Sequence, residues 1–111
     1  MNNSRIRAIA EKLQAEWDDI PDGFFSKLRD GIMDQDRYEH VLRLLKEARD
    51  VSLAYPEDCL DKLFVKVLWF MPIFMAWQIQ RVEKNGYPVD VYTGDWCATI
   101  ENIVSEILGE P

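Results

Sequence analysis

The most apolar part of this chain is residues 63–79, LFVKVLWFMPIFMAWQI, where 14 of 17 side chains are apolar and only Lys66, Pro72 and Gln78 interrupt them. A helix that spans a bilayer needs about 20 apolar residues without such interruptions. We therefore interpret the stretch as the buried centre of a helical protein and not as a membrane span. Because proline lacks an N–H group and clashes with the preceding turn, we expect the helix to kink, or to split into a pair, at Pro72.

Helical periodicity also marks the sequence on both sides of this stretch. Apolar residues recur three and four positions apart in four further segments, 6–17, 24–32, 38–48 and 96–108. We expect Pro56 to open the central helix pair, Asn85 and Gly86 to end it, and Thr93 to cap the last helix. Residues 87–92 alternate like a strand but have no second strand to pair with, so we interpret them as an extended loop. The sequence predicts an all-α fold, a compact bundle of five to six helices around a buried central apolar pair.

Length and composition fit one domain, residues 1–111, with a hydrophobic core of ordinary size. The chain is 48% hydrophobic and 30% charged, which excludes intrinsic disorder. Cys59 and Cys97 lie in apolar, helix-like stretches, and we interpret them as buried thiols that pack as small hydrophobic side chains. The N-terminus lacks the apolar segment of a secretory signal, so we expect a cytoplasmic protein.

No pattern in the sequence carries a catalytic or ligand-binding mechanism. His40 is the only histidine, which excludes zinc sites built from two or three histidines. The serines lack a nucleophile elbow, and neither a glycine-rich phosphate loop nor a Cys-x-x-Cys pair occurs. Residues 34–36 begin like a calcium loop but lack the glycine and the glutamate that such a loop requires. We therefore expect a protein that is not an enzyme and that holds no cofactor and no metal ion.

The charge of the chain is negative and unevenly distributed. Thirteen basic and twenty acidic residues give a net charge of −7, which repels nucleic acid and anionic lipid, so we expect neither as a partner. Residues 1–50 carry 9 basic and 11 acidic side chains (−2), whereas residues 51–111 carry 4 and 9 (−5). No lysine or arginine follows Lys84, but five acidic residues do: Asp90, Asp95, Glu101, Glu106 and Glu110.

We predict that this acidic region, together with two tyrosines, is a surface that binds a protein partner. Aromatic rings supply buried area at low entropic cost, and carboxylates attract and select a cationic partner. The predicted partner-binding residues are Tyr87, Asp90, Tyr92, Asp95, Glu101 and Glu106. The competing interpretation is a solvated acidic surface that keeps the protein soluble and binds nothing.

The leading functional hypothesis is a small acidic domain that neutralises or regulates a basic protein. Its most specific form is an immunity protein or antitoxin that inhibits a nuclease toxin, because a nuclease carries positive charge to hold phosphate. The alternative is a helical oligomerisation or adaptor module that buries residues 63–79 in a subunit interface. An enzyme that works with carboxylates is the third class, and it requires two acidic side chains in one deep pocket. The sequence leaves the oligomeric state open.

Overall fold

The computed structural model describes residues 2–54 and 61–109. These residues form helices and no strand, which confirms the predicted all-α bundle of five to six helices. The helices are α1 (Asn2–Asp18), α2 (Phe24–Arg29), α3 (Gln35–Ala54), α4 (Lys62–Trp77), α5 (Ile79–Lys84) and α6 (89–108). The expected helix start at Pro56, the environment of Cys59 and the side chain of Glu110 lie outside the described residues.

Helix α4 differs from its prediction in where it is interrupted. It runs through Pro72 without a break, and the chain instead leaves the helix at Gln78, before the short α5. The predicted split at Pro72 is therefore wrong. One lost hydrogen bond is tolerated there because the helix packs on the core on both sides of the proline, through Phe64, Val67, Leu68, Met71, Phe74 and Met75. Asp61 caps the helix, and its carboxylate accepts a hydrogen bond of 3.0 Å from the Phe64 N–H.

Helix α6 begins earlier than predicted and contains a wide turn. An α-helical turn (Val89–Val91), a π-helical segment (Tyr92–Cys97) and an α-helix (Ala98–Leu108) follow one another without interruption. The extended loop predicted for residues 87–92 is thus wrong over residues 89–92, which are helical. Thr93 is not the cap, since its hydroxyl donates to the Val89 carbonyl (3.0 Å) inside the helix, a bond that threonine makes as readily as a cap.

The core lies where α1, α3, α4 and α6 meet, and α2 and α5 close one end of it. Stacked aromatic pairs join these helices: Trp17 lies 3.7 Å from Phe25, and Tyr38 lies 4.2 Å from Trp96, between ring centroids. Asn85, just after α5, donates to the Gly31 carbonyl (3.0 Å) beyond the end of α2. On the apolar face of the last helix, Trp96, Ile100, Ile103 and Val104 are buried, whereas Cys97, Ile107 and Leu108 are partly buried.

A buried carboxylate connects the first three helices. Glu16 on α1 is only 3% exposed, and it accepts hydrogen bonds from the Phe24 N–H (3.0 Å) and from Nε of Arg37 (3.1 Å). A second nitrogen of Arg37 binds its other oxygen. This carboxylate therefore fixes the start of α2 and the first turns of α3 against the end of α1.

Candidate protein-binding surfaces

The four predicted carboxylates of α6 are all exposed to solvent. We call Asp90, Asp95, Glu101 and Glu106 together the acidic face of α6; Glu101 lies on its side toward α4 and Glu106 on its side toward α3. Asp90 lies in the first turn of the helix, where the positive end of the helix dipole stabilises it. Asp95 accepts a hydrogen bond of 3.2 Å from the Thr99 hydroxyl one turn further on. The helix therefore holds these groups outward along most of its length.

One of the four charges is balanced from the first half of the chain. Arg49 on α3 donates to the carboxylate of Glu106 at 3.0 Å. Within residues 5–54 and 61–109, no lysine or arginine lies within ion-pair distance of Asp90, Asp95 or Glu101. The acidic face of α6 thus keeps three unbalanced negative charges, and Glu106 is its least available member.

The two predicted tyrosines occupy different environments. Tyr87 is half-buried at the approach to α6. Tyr92 is fully buried, and its hydroxyl donates to the Met75 carbonyl on α4 at 2.7 Å. Burial raises the pKa of the Tyr92 hydroxyl, so the group stays a neutral donor. The prediction that Tyr92 lies on the binding surface is wrong, because helix α6 already includes residue 92 and turns its ring into the core. Val91, 43% exposed, is the apolar side chain beside Asp90 instead.

The outer face of α4 is a second surface, and it belongs to residues 63–79, which the alternative functional hypothesis places in a subunit interface. Trp69 and Trp77 are 64% and 65% exposed, and Val65 is 37% exposed, although the stretch was expected to be buried on most sides. With the partly buried Ile73 these residues are spaced four apart, so they form one ridge along the solvent side of the helix. A helix that is apolar on all sides gives no periodic signal for which side faces water. Only the packing of α1 and α6 against α4 determines it.

Trp69 stands between two open grooves. The groove toward α1 and α2 has a volume of about 430 Å³, and Trp17, Arg29 and Phe70 contribute to its walls. The groove toward α6 has a volume of about 480 Å³, with Glu101 on the wall opposite Trp69. One member of the acidic face of α6, Glu101, therefore lies across this second groove from the outer face of α4.

Cys97 and His40 are the described residues with a thiol and an imidazole side chain. Burial raises the pKa of the half-buried Cys97 thiol to about 11, which keeps it protonated at neutral pH. Burial lowers the pKa of His40, so its imidazole is neutral there. In residues 5–54 and 61–109, no three His, Cys, Asp or Glu side chains lie close enough together to hold a metal ion. Nor does any helix there have the length and the hydropathy needed to cross a bilayer.

No family model, no curated protein and no solved structure matches this chain. We therefore infer its function from the acidic face of α6 and the outer face of α4.

Proposed function

We propose that this chain is a small acidic domain that binds a basic protein and thereby neutralises or regulates it. One observation carries the proposal: Asp90, Asp95 and Glu101 project from α6 into solvent, and no cation in the described part of the chain balances them. In its most specific form the domain is an immunity protein or antitoxin that inhibits a nuclease toxin. A nuclease offers a positive cleft, and an acidic helix is drawn to the same cleft that phosphate occupies.

In this proposal the three carboxylates increase the rate of association with the partner and favour partners that carry positive charge. Charges of one sign on one helix repel each other at short range, but together they raise the rate of association with a cationic surface. Affinity requires buried apolar area as well, which Val91 and Tyr87 provide beside Asp90. We therefore expect the bound partner to contact α6 from its first turn to Glu101.

The test uses a variant that removes the charges and keeps the side-chain shapes, Asp90→Asn/Asp95→Asn/Glu101→Gln. Its matched control is Asp36→Asn/Glu39→Gln/Asp50→Asn, which neutralises three exposed carboxylates of α3. Both triple variants change the net charge from −7 to −4, so they differ only in where the charge is removed. Each triple contains one acidic residue from the first turn of its helix, Asp90 or Asp36.

The wild-type chain is used to capture its partner from the native host at low salt, and the partner is then purified and titrated. We expect a basic protein whose activity falls in proportion to the added wild-type chain. Three charge contacts of about 0.5 to 1 kcal/mol each predict an affinity about 10- to 100-fold weaker for the α6 variant. The α3 control should bind like the wild type. A partner that is acidic, or equal losses in both triple variants, would contradict the proposal.

A second candidate function has its own observation. The exposure of Trp69 and Trp77 on one helix face favours a helical oligomerisation or adaptor module that buries residues 63–79 in an interface. Exposed tryptophans are the side chains most enriched at the centres of protein interfaces. This function is tested by the solution mass and by the accessibility of these two rings, and it does not depend on the acidic face of α6.

A further inference from the structure

The outer ridge of α4 consists of Val65, Trp69, Ile73 and Trp77. Residues four apart on a helix form the rows that interdigitate in the commonest class of helix packing. The ridge spans 12 residues, or about 18 Å along the helix axis. All four side chains are apolar, and none of the four is fully buried by the rest of the chain. The ridge thus has the spacing and the length that allow it to pack against a second helix.

The apolar area on this ridge is large for a chain of this size. A tryptophan side chain offers up to about 250 Å² of surface, so exposed fractions of 64% and 65% leave about 300 Å² of the two rings in water. That area alone approaches the largest apolar patch of an ordinary monomer, and Val65 and Ile73 extend it. We therefore expect another apolar surface to cover the ridge.

The local charge of α4 indicates which occupant fits. Although the chain carries a net charge of −7, no acidic residue occurs between Asp61 and Glu83. Two exposed lysines, Lys62 and Lys66, lie near the N-terminal end of the ridge, and Trp77 lies at its other end. The described residues of the ridge and of the rest of α4 thus include no carboxylate, so two α4 helices can approach without opposing carboxylates on the helix itself, and Glu101 of α6 is a carboxylate that lines a neighbouring groove.

We propose that a second copy of this chain packs on the outer ridge of α4, with the two α4 helices antiparallel about a two-fold axis. With the axis at the middle of the ridge, Trp69 of each copy lies against Ile73 of the other. Lys66 of each copy then lies near the indole of Trp77 of the other, where a cation is attracted to the ring face. The same arrangement keeps the two lysine pairs at opposite ends of the interface.

The area agrees with a symmetric dimer. Two copies together bury about 600 Å² from their tryptophans alone, which is about half of the 1,200 Å² at the lower limit of specific interfaces. The remaining ridge side chains and the walls of the two grooves beside Trp69 supply further area. This proposal rests on the second candidate function. Of the acidic face of α6, Glu101 borders the proposed interface, because it lines the groove between Trp69 and α6.

The test is the mass in solution of the full chain over about a hundredfold range of concentration, measured by analytical ultracentrifugation. We expect the wild type to reach twice the 13.0 kDa chain mass. Trp69→Lys should weaken self-association by about 100-fold or more, because it places a charge at the centre of the interface. The control Leu53→Lys changes a side chain that is 70% exposed at the end of α3, and it should associate like the wild type. Because Trp69 is exposed, both variants should keep the wild-type helix content, and Trp69→Lys should keep the wild-type melting temperature at concentrations where the wild type is a single chain.

Salt separates this proposal from the binding of a basic partner. Since each copy is negative, raising sodium chloride from about 50 to about 500 mM should strengthen self-association or leave it unchanged, but should weaken binding of a basic protein. A wild type that stays at the mass of one chain, or a Trp69→Lys variant that still doubles its mass, would overturn the α4 dimer. Neither result bears on whether the acidic face of α6 binds a partner.

Discussion

The buried Glu16 carboxylate gives the sharpest prediction about stability. Glu16→Ala removes the partner of two Arg37 nitrogens and of the Phe24 N–H in one step. Removing one member of a buried ion pair costs about 3 to 5 kcal/mol. The Arg37 side chain is 35% exposed and can regain water, so we place the loss at the lower end, about 3 kcal/mol. With an unfolding entropy of about 2.1 cal/mol/K per residue, this lowers the melting temperature by about 13 °C.

Urea unfolding followed by circular dichroism measures this loss as a free energy of unfolding. The matched control is Glu11→Ala on the same helix, whose carboxylate is 65% exposed and lies 3.5 Å from Arg7. It should change the free energy of unfolding by less than about 1 kcal/mol. In a double-mutant cycle, Arg37→Ala should cost less in the Glu16→Ala background than in the wild type. A Glu16→Ala loss below about 1 kcal/mol, or equal losses in both glutamate variants, would refute the role of the buried carboxylate.

Two further predictions concern titratable groups. The pKa of Asp34 is lowered mainly by its hydrogen-bonded ion pair with Lys27 and, to a smaller extent, by the hydrogen bond from the Arg37 N–H. The ionised carboxylate therefore stabilises the folded state above the unfolded pKa near 3.8, and this stabilisation is lost as the pH falls through the lower folded pKa. Asp34→Ala should therefore cost about 1 to 2 kcal/mol at pH 7 in urea unfolding, and an unchanged difference from the wild type near pH 2 would contradict this. The second prediction concerns Cys97, whose pKa of about 11 in the folded chain compares with an ordinary value of 9.0. In a Cys59→Ser background, iodoacetamide at pH 8 should therefore alkylate Cys97 about 100-fold more slowly in the folded chain than in urea. Equal rates of alkylation in the two states would contradict this.

The sequence predicts the fold class of this chain well because its signals are local. Helical spacing of apolar residues identifies each long helix, and Gly31 and Gly86, both with positive φ, follow the ends of α2 and α5. The errors lie where one residue type allows two structures. Pro72 breaks many helices but not one that is packed on both sides, and Thr93 bonds back to a carbonyl inside the helix instead of capping it.

The candidate surfaces were predictable only in part. The acidic residues of α6 are exposed as their charge requires, but no local signal places Arg49 beside Glu106, since the contact joins residues 57 positions apart. Tyr92 is compatible with a loop surface or with a helix interior until the start of α6 is known. The exposed Trp69 is the hardest case, because hydropathy predicts burial and only the positions of neighbouring helices leave it in water.

The salt dependence of partner binding tests the central claim most directly. Calorimetric titration of the purified partner at several sodium chloride concentrations gives the slope of log affinity against log salt for each protein. We predict a clear loss of affinity with salt for the wild type and a smaller slope for Asp90→Asn/Asp95→Asn/Glu101→Gln, because three charge contacts are gone. An affinity that does not depend on salt, or a slope that the triple variant leaves unchanged, would contradict a function built on these carboxylates.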